Sequence, residues 1–178
     1  MDKEGLNIEI KVAEDSQLDL LVSQFSPGNP MWQYNRYDVQ KRGEGLYLIA
    51  WDDKIPIGHF LLRWSGPQDP FVTEKIDITS RAFLEAGLTI DNYRRMGVAT
   101  AVIQEAERLS IEKRSTHIGL EVGIENSEAK RLYEKLGYKD LGYGDFSISW
   151  EYIDSNGNKG TESEIVIYME KILKTVIK

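Results

Sequence analysis

Two short segments of this chain carry residue types and spacings that could do chemistry. In the first, Tyr93-Arg94-Arg95-Met96-Gly97-Val98-Ala99-Thr100, a strand-to-helix turn leads into a helix. The first turn of a helix leaves backbone N–H groups unpaired and carries the positive end of the dipole. A pyrophosphate takes up several such donors at once if the backbone can be approached closely. Gly97 and Ala99 leave that room, and Arg94 and Arg95 add positive charge. A basic helix start with a tight turn explains the same residues without any ligand. The segment is not a nucleotide P-loop, because no Gly-Lys-Ser/Thr follows a four-residue spacer. The second segment runs from Glu121 to Tyr138 and joins a strand, the helix cap Asn126 and the run Ala129 to Tyr138. Ala129, Leu132, Tyr133 and Leu136 sit at helical spacing, so they also read simply as a core face.

The elements that must position these segments follow from periodicity. Ile8 to Val12 alternates as a strand, and Asp15 or Ser16 can cap a helix bearing Leu18, Leu21, Val22 and Phe25. A second helix spans Pro30 to Arg42 and stops near Gly43. Leu46 to Trp51 and Ile55 to Trp64 form a hairpin around Asp52-Asp53. Ser65 to Asp77 reads as loop, and Arg81 to Ile90 as a fourth strand, with Gly87 marking a bulge or a close backbone approach. A helix covers Val98 to Lys113, and a fifth strand alternates through Ile118, Leu120 and Val122. Asn126 caps the next helix and Gly137 ends it. Two last strands, Asp145 to Ile153 and Glu164 to Glu170, flank Ser155-Asn156-Gly157-Asn158. The expectation is one α/β (α+β) domain over residues 1–178.

Composition narrows the class. The 178 residues contain no cysteine and two histidines, which removes disulfides and thiolate zinc and argues against any metal site. The charged start Met1-Asp2-Lys3-Glu4 has no apolar signal core, and no apolar run approaches membrane length, so a cytoplasmic protein without membrane contact is expected. The net charge of -7 argues against nucleic acid. Charge is uneven: Arg94 to Lys139 holds nine basic and seven acidic residues, whereas the rest holds 13 and 22. An anion therefore suits the first region, and a cationic partner the remainder.

Taken together, in this order and about 30 residues apart, the two segments resemble the GNAT superfamily of N-acetyltransferases. Arg94-x-x-Gly97-x-Ala99 resembles its pyrophosphate motif. Asn126-x-x-Ala129-x-x-Leu132-Tyr133-x-x-Leu136-Gly137-Tyr138 resembles its second signature. The resemblance implies a mostly antiparallel central sheet of about seven strands flanked by helices, with the fourth and fifth strands splayed around the pantetheine arm of acetyl-CoA, the cosubstrate. Main-chain groups near Leu88 and Ile90 would pair with that arm, and one N–H would stabilise the tetrahedral oxyanion. Amides of Arg95, Met96, Gly97, Val98, Ala99 and Thr100 would hold the pyrophosphate beside Arg94. Asn126 would contact the pantetheine, and Tyr133 would protonate the departing thiolate.

An amine must be neutral when it attacks, and a lysine-like ammonium lies about three units above neutral pH, a penalty of roughly 4 kcal/mol. A base is therefore useful. Glu85 is the candidate, on the strand face assigned to Gly87, although many family members carry their acid nearer the strand's end, where this chain has Ala86 and Gly87. Substrate ligand and plain surface charge are equal alternatives for Glu85. His59, His117 and Asp145 are weaker candidates, and Trp32, Tyr34 and Tyr37 read either as an acceptor wall or as core. The acceptor is expected to be a small cationic amine, with a protein N-terminus or side-chain amine as the alternative. A non-catalytic acetyl-CoA sensor is the rival class, and a homodimer is expected by analogy with similar folds.

Overall fold

The computed structural model describes residues 6–154 and 156–174. Met1 to Glu4 and Ser155, used in the reading above, lie outside them. The strands are β1 (Ile8–Val12), β2 (Gly45–Asp52), β3 (Ile55–Arg63), β4 (Arg81–Thr89), β5 (His117–Gly123), β6 (Lys139–Ile153) and β7 (Lys159–Ile172). The helices are α1 (Leu18–Phe25), α2 (Met31–Lys41), α3 (Pro70–Thr73), α4 (Val98–Glu112) and α5 (Ser127–Lys135). The seven strands form one sheet in the order β1-β2-β3-β4-β5-β7-β6. β4 and β5 are parallel, while β1/β2, β5/β7 and β6/β7 are antiparallel. No described helix is long and apolar enough to cross a membrane.

Several boundaries differ from the sequence reading for local reasons. The turn before α1 starts at Glu14, whose N–H donates to Gln17 Oε1 at 3.0 Å, rather than at Asp15 or Ser16. The expected loop after Trp64 contains α3, capped by Asp69, whose Oδ1 accepts from the Phe71 N–H at 2.8 Å. β6 begins at Lys139 instead of Asp145, and its pairing with β7 is interrupted between Asp140 and Asp145. Gly142 and Gly144, at φ 73° and 92°, let the strand deform there without ending.

The chain divides into two compact units. The first comprises residues 1–62 and 86–106. Its core joins Leu18, Leu21 and Phe25 of α1 to Val39 of α2 and to Tyr47, Ile49, Trp51 and Leu61 of the sheet. The α1 periodicity puts those three side chains on one stripe, which is why an eight-residue helix suffices. A buried polar chain runs through this core. Gln33 Nε2 donates to Ser26 Oγ at 3.0 Å, and the Tyr47 hydroxyl donates to Gln33 Oε1, which also accepts from Arg36 at 3.1 Å. Satisfying those groups is what permits their burial.

The second unit comprises residues 63–85 and 107–178. Val72, Phe83, Phe146, Val166 and Tyr168 form its core on one sheet face, with Phe71 stacked on Phe146 at 4.7 Å. Glu170, 7% exposed, accepts from Arg81 Nε at 2.9 Å and from the Tyr168 hydroxyl at 2.8 Å, so this buried carboxylate is paired.

Candidate functional site

In the first unit, two left-handed residues precede the N-terminus of α4. Arg95 has φ 61° and Gly97 φ 89°, so the chain turns tightly into the helix. The first intrahelical bond runs from the Ala101 N–H to the Gly97 carbonyl at 2.9 Å. The N–H groups of Val98, Ala99 and Thr100 therefore lack intrahelical acceptors. A Cβ on Gly97 would meet nothing within 4 Å, so the approach to those amides is open. Arg94 is held alongside by Asp91 at 3.0 Å and stays largely exposed. Tyr93, whose hydroxyl donates to Asp52 Oδ2 at 3.0 Å, ties the turn to the end of β2.

β4 contributes the second feature. Ala86, Gly87 and Leu88 are exposed in the middle of a seven-stranded sheet, although Ala82, Phe83 and Leu84 just before them are buried. Ala86 has φ 55°, a left-handed conformation that an L side chain adopts at a cost. This residue breaks the alternation expected for the strand. The Glu85 side chain meets Arg63 of β3, whereas the Cβ direction of Gly87 meets Phe60. Positions 60 and 63 have odd spacing on one strand and so face opposite sides. The placing of Glu85 and Gly87 on a common face is corrected accordingly. The Ile90 N–H, at the end of this stretch, donates to the Ile57 carbonyl at 3.1 Å, and the Ile90 side chain packs on the first unit's core.

Glycine at 87 is required by space. A Cβ there would lie 2.2 Å from the ring of Phe60, itself 5% exposed. Gly87→Ala is expected to destabilise the protein by roughly 1–3 kcal/mol, and adding Phe60→Leu to recover part of that loss. Urea denaturation of both variants checks it; an additive double variant would show that the two positions do not compete for space.

In the second unit, β4 and β5 pair only from Arg81↔His117 to Leu84↔Leu120. Glu85 and Glu121 follow the last pair. Glu85 Oε1 accepts from Arg63 Nε at 2.8 Å. Glu121 is half-buried, and burial first, then the charges of Asp69 and Glu85, push its carboxyl up to about 7. Sequence reasoning missed this residue. Its signal was present: Gly119, Glu121 and Gly123 share one face of β5, and a Cβ at Gly119 would strike the buried Tyr168.

On α5, Asn126 Oδ1 accepts from the Ala129 N–H at 3.1 Å, so half of the Asn126 amide is used as the helix cap. Tyr133 lies 6.0 Å from Tyr138, centroid to centroid, and burial raises its phenol to about 12. It is therefore a neutral hydrogen-bond donor throughout the physiological range. Of the weaker candidates, Tyr34 donates to Asp19 at 3.2 Å, Tyr37 packs on the first unit's core, and Asp145 is exposed. His117 lies 3.9 Å from Glu170, and His59 is 2% exposed. Among the described residues no group of His, Asp and Glu is arranged to hold a metal.

The model of the acetyltransferase (GNAT) family matches residues 15–138. An N-alpha-acetyltransferase of Sulfurisphaera tokodaii is 32% identical over 107 residues, a match spanning 57% of this chain and 60% of that relative's length. The crystal structure of the ribosomal-protein-alanine N-acetyltransferase from Brucella melitensis superposes with a TM-score of 0.66 at 15% identity, covering 93% of this chain and 99% of that one. A Salmonella typhimurium structure with acetyl-CoA as its cofactor gives a TM-score of 0.66 at 10% identity, covering 94% and 95%. These two structures share the fold. Since the family model covers most of the chain, from α1 through the end of α5, the protein belongs to the acetyltransferase (GNAT) family.

Proposed function

We propose that the chain transfers the acetyl group of acetyl-CoA to the α-amine of a polypeptide. What supports the cosubstrate is the run of Val98, Ala99 and Thr100 N–H groups without intrahelical acceptors, preceded by left-handed Arg95 and Gly97 and open at Gly97. It suits a diphosphate, with Arg94 beside it. The exposed backbone around Leu88 offers main-chain hydrogen bonds to the amide-bearing arm, and Asn126 offers its side-chain N–H₂. The amine nitrogen attacks the thioester carbonyl carbon, the carbon–sulfur bond breaks, and the departing thiolate takes the Tyr133 proton. Glu121 accepts the proton the amine must lose, while Arg63 holds Glu85 as a fixed charge that raises the proton affinity of Glu121. Glu85 as the base itself is the competing assignment.

The Glu121 carboxyl, at about 7, supports the α-amine. An α-ammonium, at about 8, lies only about one unit above it, whereas a lysine-like ammonium lies more than three above. The names of the Sulfurisphaera and Brucella proteins point the same way. A small cationic amine is the second reading, favoured by the net charge of -7. Thiol release should be measured with acetyl-CoA against short peptides with free or blocked N-termini and against polyamines. Turnover confined to free-N-terminus peptides is expected. Faster turnover of polyamines would transfer the assignment to small amines, and saturable CoA binding without turnover on any amine would make the protein a sensor.

A further inference from the structure

We infer that His59 is a positioning residue that holds the β4 bulge in its left-handed form and so aims the Gly87 N–H outward. The inference rests on the reading that the exposed β4 backbone receives the acetyl-CoA arm. All the groups involved belong to the first unit.

Two costly features meet here. Ala86 is left-handed without being glycine, and nothing in its side chain favours that state. His59 is an imidazole buried to 2% exposure, edge-on to Phe25 at 4.7 Å and Tyr47 at 5.5 Å, with Nδ1 unpartnered. A phenyl ring would satisfy the same aromatic neighbours without leaving a polar nitrogen stranded. What the imidazole adds is a hydrogen bond to the Ala86 backbone. With Nδ1 bare, that bond belongs to Nε2, and a ring nitrogen bonding a carbonyl must carry the proton. Burial and the positive charge of Arg36 keep the ring neutral, which fixes the tautomer as Nε2–H.

The consequence follows from the peptide plane. The carbonyl of Ala86 and the N–H of Gly87 belong to one trans peptide and point in opposite directions. A carbonyl drawn inward onto His59 turns the Gly87 N–H away from the core, in a stretch where residues 86 to 88 are exposed. Phe60 fills the space a residue-87 side chain would need, so the position beside Ala86 carries none. His59 and Phe60 thus act from the two faces of β3 on consecutive residues of β4. His59 touches no substrate; it fixes the direction of a donor suited to a developing oxyanion.

The test compares His59→Phe, His59→Gln and, as a packing control, Phe25→Leu. Phe25 shares the core with His59. His59→Phe is expected to lower kcat by about 10- to 100-fold with CoA affinity and the KM for acetyl-CoA little changed, since it misaims a donor without removing a binding group. His59→Gln, which restores an N–H, is expected to recover part of the loss. Phe25→Leu should lower thermal stability and leave kcat nearly intact. In parallel, ¹⁵N NMR of the ligand-free protein should show His59 as neutral Nε2–H and should show the Gly87 amide shifted in His59→Phe. An unchanged kcat in His59→Phe, or an equal loss in Phe25→Leu, overturns the proposal. Should His59→Phe fail to fold, His59→Gln with a wild-type Gly87 amide shift and less than about a tenth of the wild-type kcat would do the same. CoA titration of the wild-type protein separates the two failures: absent binding sinks the cosubstrate reading, whereas the NMR arm reads the latch without any ligand.

Discussion

Tyr133→Phe is expected to lower kcat and kcat/KM together by about 10²- to 10⁴-fold while CoA still binds within about threefold of wild type. The substitution keeps the ring that packs near Tyr138 and removes only the hydroxyl, so fold and cosubstrate site are left as they were. In the proposed role the phenol contributes nothing to binding the intact thioester, because its proton would be needed only once charge accumulates on sulfur. An interaction made only in the transition state affects kcat and kcat/KM equally. The burial that raises Tyr133 to about 12 guarantees the proton is in place at any working pH, so no rate-limiting ionisation should be traceable to this residue. Isothermal titration with CoA and stopped-flow thiol release on both proteins check the two halves. A variant with full kcat would remove Tyr133 from the proton path, and one that loses CoA affinity in step with rate would make it a binding residue instead.

The parts of this site that were legible in the sequence are those whose physics is local. An amide cradle at a helix start needs a small residue, a positive φ and neighbouring charge within a handful of positions, and Arg94 to Thr100 displays all of these. Asn126 as a cap and Gly137 as a terminator are equally local, and both stand where the spacing put them. Glu121 was legible only in part: the glycines sharing its strand face stand in the sequence, but its proton affinity arises first from burial and then from Asp69 and Glu85, which are distant in sequence. Gly87 reads as a bulge or a close approach, and the close approach is the one that Phe60 makes. The left-handed residue is Ala86, and glycine follows it because Phe60 leaves no volume. The left-handed turn at Ala86 also reversed the face of Glu85 relative to Gly87. Likewise, Leu141-Gly142-Tyr143-Gly144 has loop composition, yet β7 supplies enough ladder beyond it for β6 to resume after the interruption.

Glu121→Gln gives the second large effect, and it appears in two independent measurements. The first is the pH profile. A base that ionises near 7 in the free protein makes kcat/KM climb up to about that pH and level off above it. Removing the carboxylate should abolish this limb and lower the plateau by about 10²- to 10⁴-fold for an α-amine acceptor. Glu85→Gln, which takes away a neighbouring negative charge, should move the limb to lower pH and cost far less rate. The reverse ranking, with Glu85→Gln the more damaging, would return the base role to Glu85. The second measurement is stability, and its sign is opposite to that of a salt-bridged acid. The folded protein holds the Glu121 proton more tightly than the unfolded chain does, so the contribution of this proton is fully present below about 4.5 and is lost as pH rises through about 7. Above that pH the buried carboxylate is a net cost of up to about 3 kcal/mol, from a shift of some 2.5 units. Glu121→Gln should therefore be more stable than wild type at pH 8 and close to it at pH 4, read by urea denaturation at the two values. A variant that loses activity without gaining stability at pH 8 would mean that Glu121 is already ionised at low pH, and the matching of its proton affinity to an α-amine would no longer hold.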